Sequence, residues 1–120
     1  MSKQLNKIWF GIGLLILLSF SYQTPSYFVQ FKIHTLSSND QAIDLDKKMV
    51  SKSGIVKSRA DYKTSTYFCA MKPGVLYTED EFTKWFKKLG YKISCFNAGI
   101  QGQDRMVTPY ELEACEPVNE

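Results

Sequence analysis

Residues 33–54 read IHTLSSNDQAIDLDKKMVSKSG, and the fold turns on how this stretch divides. Ile33 and His34 close an alternating run, and residues 35–38 are mostly small and polar. Ala42, Leu45 and Met49 then recur at helical spacing, flanked by Ile43 and Val50, which predicts a helix with one apolar stripe. Gly54 is the residue expected to end it in the left-handed conformation. Ser38 and Gln41 fit a capping box. The Ser38 hydroxyl would accept the N–H of Gln41, and the Gln41 side chain would reach back to the N–H of Ser38, a cap worth ~1 kcal/mol. The stretch is the end of a strand, a short loop and a helix.

The flanks extend this pattern. Tyr27–His34 alternates, with Val29, Phe31 and Ile33 on one face and Phe28, Gln30, Lys32 and His34 on the other, as a half-buried strand does. Residues 55–62 and Thr66–Met71 read as two strands joined by a polar turn at 63–65. Tyr67, Cys69 and Met71 share a face, and Pro73-Gly74 breaks the chain. Thr78 opens a capping box with Glu81, Tyr77 can staple onto Phe82, and Phe82, Trp85, Phe86 and Leu89 form an apolar stripe. Residues 79–81 are acidic at the positive end of this second helix, and Lys87 and Lys88 sit at its negative end before Gly90. A last strand follows at 91–96. The order βαββαβ predicts an α+β ferredoxin-like sandwich over residues 27–96: a four-stranded antiparallel sheet with two helices on one face. Residues 97–120 form a C-terminal tail. Thr108-Pro109-Tyr110-Glu111 can cap a short helix there, running through Cys115.

At 120 residues the chain has room for one such domain. Residues 1–21 carry Lys3 and Lys7 ahead of an uncharged run of 13 residues, 8–20. That run is shorter than the about 20 apolar residues of a spanning helix. With Ser19 and Ser21 at the positions a signal peptidase reads, it predicts export to the periplasm and cleavage before Tyr22. The alternative is an uncleaved anchor in the inner membrane through residues 8–22, the membrane contact then resting on that segment alone. The formal charge of +3 falls to +1 once Lys3 and Lys7 are set aside. No strongly basic face is implied, and nucleic acid is not an expected partner.

With the landmarks in place, residues 27–96 resemble a heavy-metal-associated domain of the kind found in copper chaperones and metal-pumping ATPases. In that family a strand leads into Gly-Met-Thr-Cys-x-x-Cys, a helix ends in Gly-Val, and a second helix ends in Gly-Tyr. Thr35, Leu36, Ser37, Ser38 and Gln41 fall without a gap on the Gly, Met, Thr and two Cys positions. Gly54-Ile55 falls on Gly-Val and, after one inserted residue near Pro73, Gly90-Tyr91 falls on Gly-Tyr. The resemblance implies a metal site of two thiolates, which suit a soft ion such as Cu(I). Here the metal positions hold Ser38 and Gln41, a hydroxyl and an amide, and the family's metal transfer does not carry over to them.

The remaining chemistry is sparse. Three cysteines in an exported domain invite a disulfide. Cys69 reads as a small buried residue, whereas Cys95 and Cys115, 20 residues apart, would pin the tail to the sheet. Such a bridge stabilises by ~3 kcal/mol on the chain-entropy model. His34, the sole histidine, reads as a surface residue. Asp44, Asp46 and the acidic residues 79–81 read as helix solvation and dipole matching. Phe28, Phe68 and Phe96 are expected on the sheet face away from the helices, covered by Ile100, Met106, Val107, Tyr110 and Leu112 of the tail or in contact with a protein. No nucleophile elbow, phosphate loop or zinc-protease motif occurs, so no catalytic residue and no cofactor is expected. The leading expectation is a non-enzymatic binding or interaction module with a protein partner. The alternative is a metal-binding or metal-trafficking protein whose ligands have moved to His34, Met71, Cys69, Cys95 or Cys115.

Overall fold

The computed structural model describes residues 24–116; the expected export segment, residues 1–21, lies outside them. The elements follow the predicted order: β1 (Tyr27–His34), α1 (Asn39–Val50), β2 (Ile55–Asp61), β3 (Thr66–Met71), α2 (Glu79–Lys88), β4 (Lys92–Ile100) and a short α3 (Pro109–Glu113). The sheet order is β2-β3-β1-β4, every pairing antiparallel, and α1 and α2 cover one face. This is the ferredoxin-like sandwich, with β1 and β3 in the middle and β2 and β4 at the edges.

Both helices are cut to length by local chemistry. At the start of α2 the Thr78 hydroxyl accepts from Glu81 N at 3.3 Å, and Thr78 N donates to the Glu81 carboxylate at 2.8 Å. The Tyr77 ring meets Phe82 edge-on, completing the staple. At its end Gly90 takes φ +94°, with Gly90 N bonded to the Lys87 carbonyl and Tyr91 N to that of Phe86. That is the two-bond glycine terminator. Helix α1 ends sooner than expected: Val50 is its last residue and Ser51 its cap. Gly54, at φ +86°, instead turns the chain into β2. A Cβ on Gly54 would stand 2.9 Å from Val75 Cγ1, so close packing under the β3–α2 loop also needs the glycine.

Phe31, in the central strand, is the hub of the core. Its ring lies 4.8 Å from Tyr67, 4.9 Å from Phe86, 5.6 Å from Phe82 and 6.0 Å from Phe96. Val29, Ile33, Leu36, Ala42, Leu45, Met49, Ile55, Cys69 and Met71 complete the buried cluster. Burying aromatic rings of this size supplies much of the apolar area that holds a small domain together.

Strand β4 departs from the expectation in two ways. It runs on past Phe96 to Ile100, pairing residue for residue with the start of β1. It also carries a bulge: Gln30 pairs Asn97 but Lys32 pairs Ser94, so two residues, Cys95 and Phe96, oppose Phe31. Cys95 takes φ +56° to accommodate this. The extra residue reverses the alternation, and Phe96 turns to the helix face and stacks on Phe31 rather than standing on the far face as expected. Phe28 and Phe68 do lie there, with ring centroids 6.3 Å apart.

The tail makes a third layer over that face. Gln30, 6% exposed, grips Val107 with both ends of its amide: Nε2 donates to the Val107 carbonyl at 2.6 Å and Oε1 accepts from Val107 N at 2.9 Å. Lys32 Nζ donates to the carbonyls of Glu113 and Cys115 at the end of α3. Leu112 is buried and α3 rests on β1 and β3. A disulfide joins Cys95 to Cys115. Met106 and Tyr110, expected as cover, are left 43% and 77% exposed.

Candidate functional site

The site the sequence points to is the loop between β1 and α1. Thr35 leaves the strand in the left-handed conformation, φ +70°. Leu36 then dips into the core at 4% exposure. The tip of the β2–β3 hairpin backs the loop, with Ile33 N donating to the Ser65 carbonyl at 2.8 Å and Ser65 Oγ to the Leu36 carbonyl at 3.4 Å. Anchored on both sides, the loop presents Ser37, Ser38 and Gln41 at the N-terminus of α1.

Each of these side chains is engaged. Ser38 Oγ accepts from Gln41 N at 3.2 Å, as the sequence predicts. The return contact lands one residue earlier than expected. Gln41 Oε1 accepts from Ser37 N at 2.9 Å and from Ser37 Oγ at 3.1 Å, two donors where Ser38 N would offer one. The two positions that fall on the cysteines of the resemblance thus form a helix cap.

The other candidate ligands are spread across the molecule. Cys69 and Met71 face the helices and are buried. His34 is on the opposite face of the sheet, its Nε2 2.8 Å from Ser94 Oγ. Cys95 and Cys115 are bonded to each other. Among the described residues no three His, Cys, Asp or Glu side chains come together as a metal site. Burial pushes the Cys69 thiol up to about 12, against the opposing hydrogen bond from Tyr67, so it stays protonated at neutral pH.

One polar chain is poorly announced by the sequence. Asp46, expected to be a solvated helix charge, turns inward, and its Oδ1 accepts from Ser58 Oγ at 2.8 Å and Ala60 N at 2.9 Å. Ser58 Oγ lies 2.7 Å from the Tyr67 hydroxyl. Burial raises the Asp46 carboxyl above its ordinary value, opposed by the hydrogen bonds from Ser58 and Ala60 and by the charge of Arg59. Burial likewise raises the Tyr67 phenol. The sequence signal is weak: Asp46 follows Leu45 and lies four residues after Ala42, on the edge of the apolar stripe, a position open to either orientation. By contrast Asp44 pairs with Lys48 at 2.8 Å in the open, the solvated arrangement expected for it.

On the outer surface, a groove between the helices is lined by Lys48, Met49, Ser51, Lys52, Trp85, Lys88 and Leu89. The Lys52 ammonium sits 4.3 Å from the Trp85 ring centroid, so that aromatic face already holds a cation of its own chain. Among the described residues no helix is long and apolar enough to cross a membrane.

No family model and no curated protein matches the sequence. The structure does match a solved one, the N-terminal domain of a potential copper-translocating P-type ATPase from Bacillus subtilis, determined in solution in its Cu(I)-loaded state. The TM-score is 0.51 at 18% identity, and the match covers 65% of this chain and 99% of that one. Together with the strand order, this shows that the chain shares the fold of that domain, the ferredoxin-like sandwich, with further residues outside the match.

Proposed function

We propose that the protein is an exported binding or interaction module built on a metal-carrier fold, in which the loop that would hold a thiolate clamp serves as a helix cap. The observation that carries this reading is the engagement of both positions: Ser38 by Gln41 N, and Gln41 by Ser37. A hydroxyl and an amide oxygen are poor donors for a soft ion even when free, and here they already satisfy backbone N–H groups. Export, with delivery to the periplasm, is supported by the charged and apolar pattern of residues 1–21 and by a disulfide suited to an oxidising compartment. A protein partner is supported by exposed apolar side chains beside a sheet edge that no described strand pairs. Ile43 and Val50, seven residues apart on α1, are 45% and 47% exposed, and Val56 on edge strand β2 is 60% exposed. A competition titration with a Cu(I) chelator tests the reading. The full chain is expected to leave the ion with the chelator and Ser38→Ala to behave identically; tight one-to-one binding that Ser38→Ala abolishes would refute the cap.

A further inference from the structure

We infer that the Cys95–Cys115 disulfide is a redox latch, whose reduction releases the tail and uncovers the aromatic face of the sheet while the sandwich stays folded. Four observations lead there. The bulge places Cys95 on the tail side of β4, with φ +56°, where an unbroken alternation would turn it into the core. Both cysteines are only half-buried, within reach of an attacking thiolate. In residues 101–115 one apolar side chain, Leu112, is buried, and Met106 and Tyr110 are left 43% and 77% exposed. The rest of the grip is the amide clamp of Gln30 on Val107, the two carbonyl contacts of Lys32 and, where the tail leaves β4, the bonds from Gln101 N to the Ser26 carbonyl and from Gln101 Nε2 to the Tyr27 carbonyl.

A single buried leucine and a few hydrogen bonds of small net value do not offset the entropy of ordering that many residues. The covalent link keeps the tail close enough for those weak contacts to form. Beneath the tail lie the stacked rings of Phe28 and Phe68 and the amide of Gln30. The sandwich has its own core around Phe31 on the opposite face, to which no residue of 101–115 belongs. The reductant is a dithiol. One of its thiolates attacks a sulfur of the Cys95–Cys115 bond and forms a mixed disulfide, releasing the other cysteine. Its second thiol then attacks the first one's sulfur in that mixed disulfide and displaces the cysteine still held there, leaving Cys95 and Cys115 as thiols and the dithiol as a disulfide, two electrons and two protons having been transferred.

Hydrogen exchange of the full chain, oxidised and then treated with dithiothreitol, tests the latch. Amides of residues 101–115 are expected to exchange at least about tenfold faster after reduction, while those of β1, β3, α1 and α2 keep their protection. A Cys95→Ser, Cys115→Ser variant should show the same pattern without reductant, and an apolar fluorescent dye should bind the reduced protein more strongly. Unchanged protection of the tail after reduction would overturn the inference, because the tail would then stand without the bond. Loss of protection throughout the sandwich would overturn it equally, because the bond would then be a staple of the whole fold.

Discussion

At the scale of single residues, the buried chain from Asp46 through Ser58 to Tyr67 ties α1 to β2 and β3. Tyr67 is 1% exposed, and Ser58 Oγ, 2.7 Å from its hydroxyl, gives that buried group a hydrogen-bond partner. Asp46→Ala removes the acceptor for Ser58 Oγ and Ala60 N and should cost about 1–3 kcal/mol in denaturant unfolding. Asp46→Asn keeps a carbonyl oxygen there and should cost less than about 1 kcal/mol. Both variants differ from the unsubstituted protein in their pH dependence as well. The Asp46 carboxyl is raised in the folded protein above the 3.8 of an unperturbed aspartate, so the folded state holds the proton more tightly than the unfolded chain. Its contribution therefore makes stability rise as pH falls through the raised value toward 3.8, and unfolding curves of Asp46→Asn should lack that rise. In the loop, Ser38→Cys with Gln41→Cys would place a Cys-x-x-Cys pair on a scaffold of the matching fold. The double variant should lose ~1 kcal/mol with its cap and gain one-to-one Cu(I) binding in the chelator competition.

At the scale of elements, the helices are governed by what lies within four residues of their ends, and the strands are not. The capping box of Thr78 and Glu81, the Tyr77 staple and the Gly90 terminator of α2 all follow from adjacent residue types, and the structure realises each. Around Gly90 there is open space, so Gly90→Ala meets no clash and pays only for its φ of +94°, about 1–2 kcal/mol in thermal or denaturant unfolding. Strand β4 obeys its partner instead. An alternating run continued through 91–96 puts Phe96 on the far face. The bulge opposite Phe31 reverses it, and nothing in the sequence of β4 alone marks the extra residue. Phe96→Ala distinguishes the two arrangements: a loss of about 2–4 kcal/mol belongs to a ring packed on Phe31 and Phe82, against under about 0.5 kcal/mol for a ring in solvent.

At the scale of the whole molecule, three layers replace the two of a simple sandwich. The third is seated by a glycine: a Cβ on Gly99 would stand 2.9 Å from Phe28 Cζ and 2.8 Å from Asp104 Cβ, so neither the ring nor the turn after β4 could stay in place. Gly99→Ala should cost about 1–3 kcal/mol in thermal unfolding and loosen the tail over Phe28, visible as faster exchange near Val107. The number, type and order of the elements, both helix caps and the separation of Cys69 from the other two cysteines could be read from the chain, because periodicity and capping act between neighbours. The same local chemistry made residues 38–41 legible as the start of a helix. The inward turn of Asp46, the side on which Phe96 packs and the clamp of Gln30 on Val107 were decided only in three dimensions. Gln30 and Val107 are 77 residues apart and Asp46 and Ser58 are 12 apart. The partner that satisfies each buried polar group, and the register that turns each ring, exist only once the sheet has paired and the chain has come back over it.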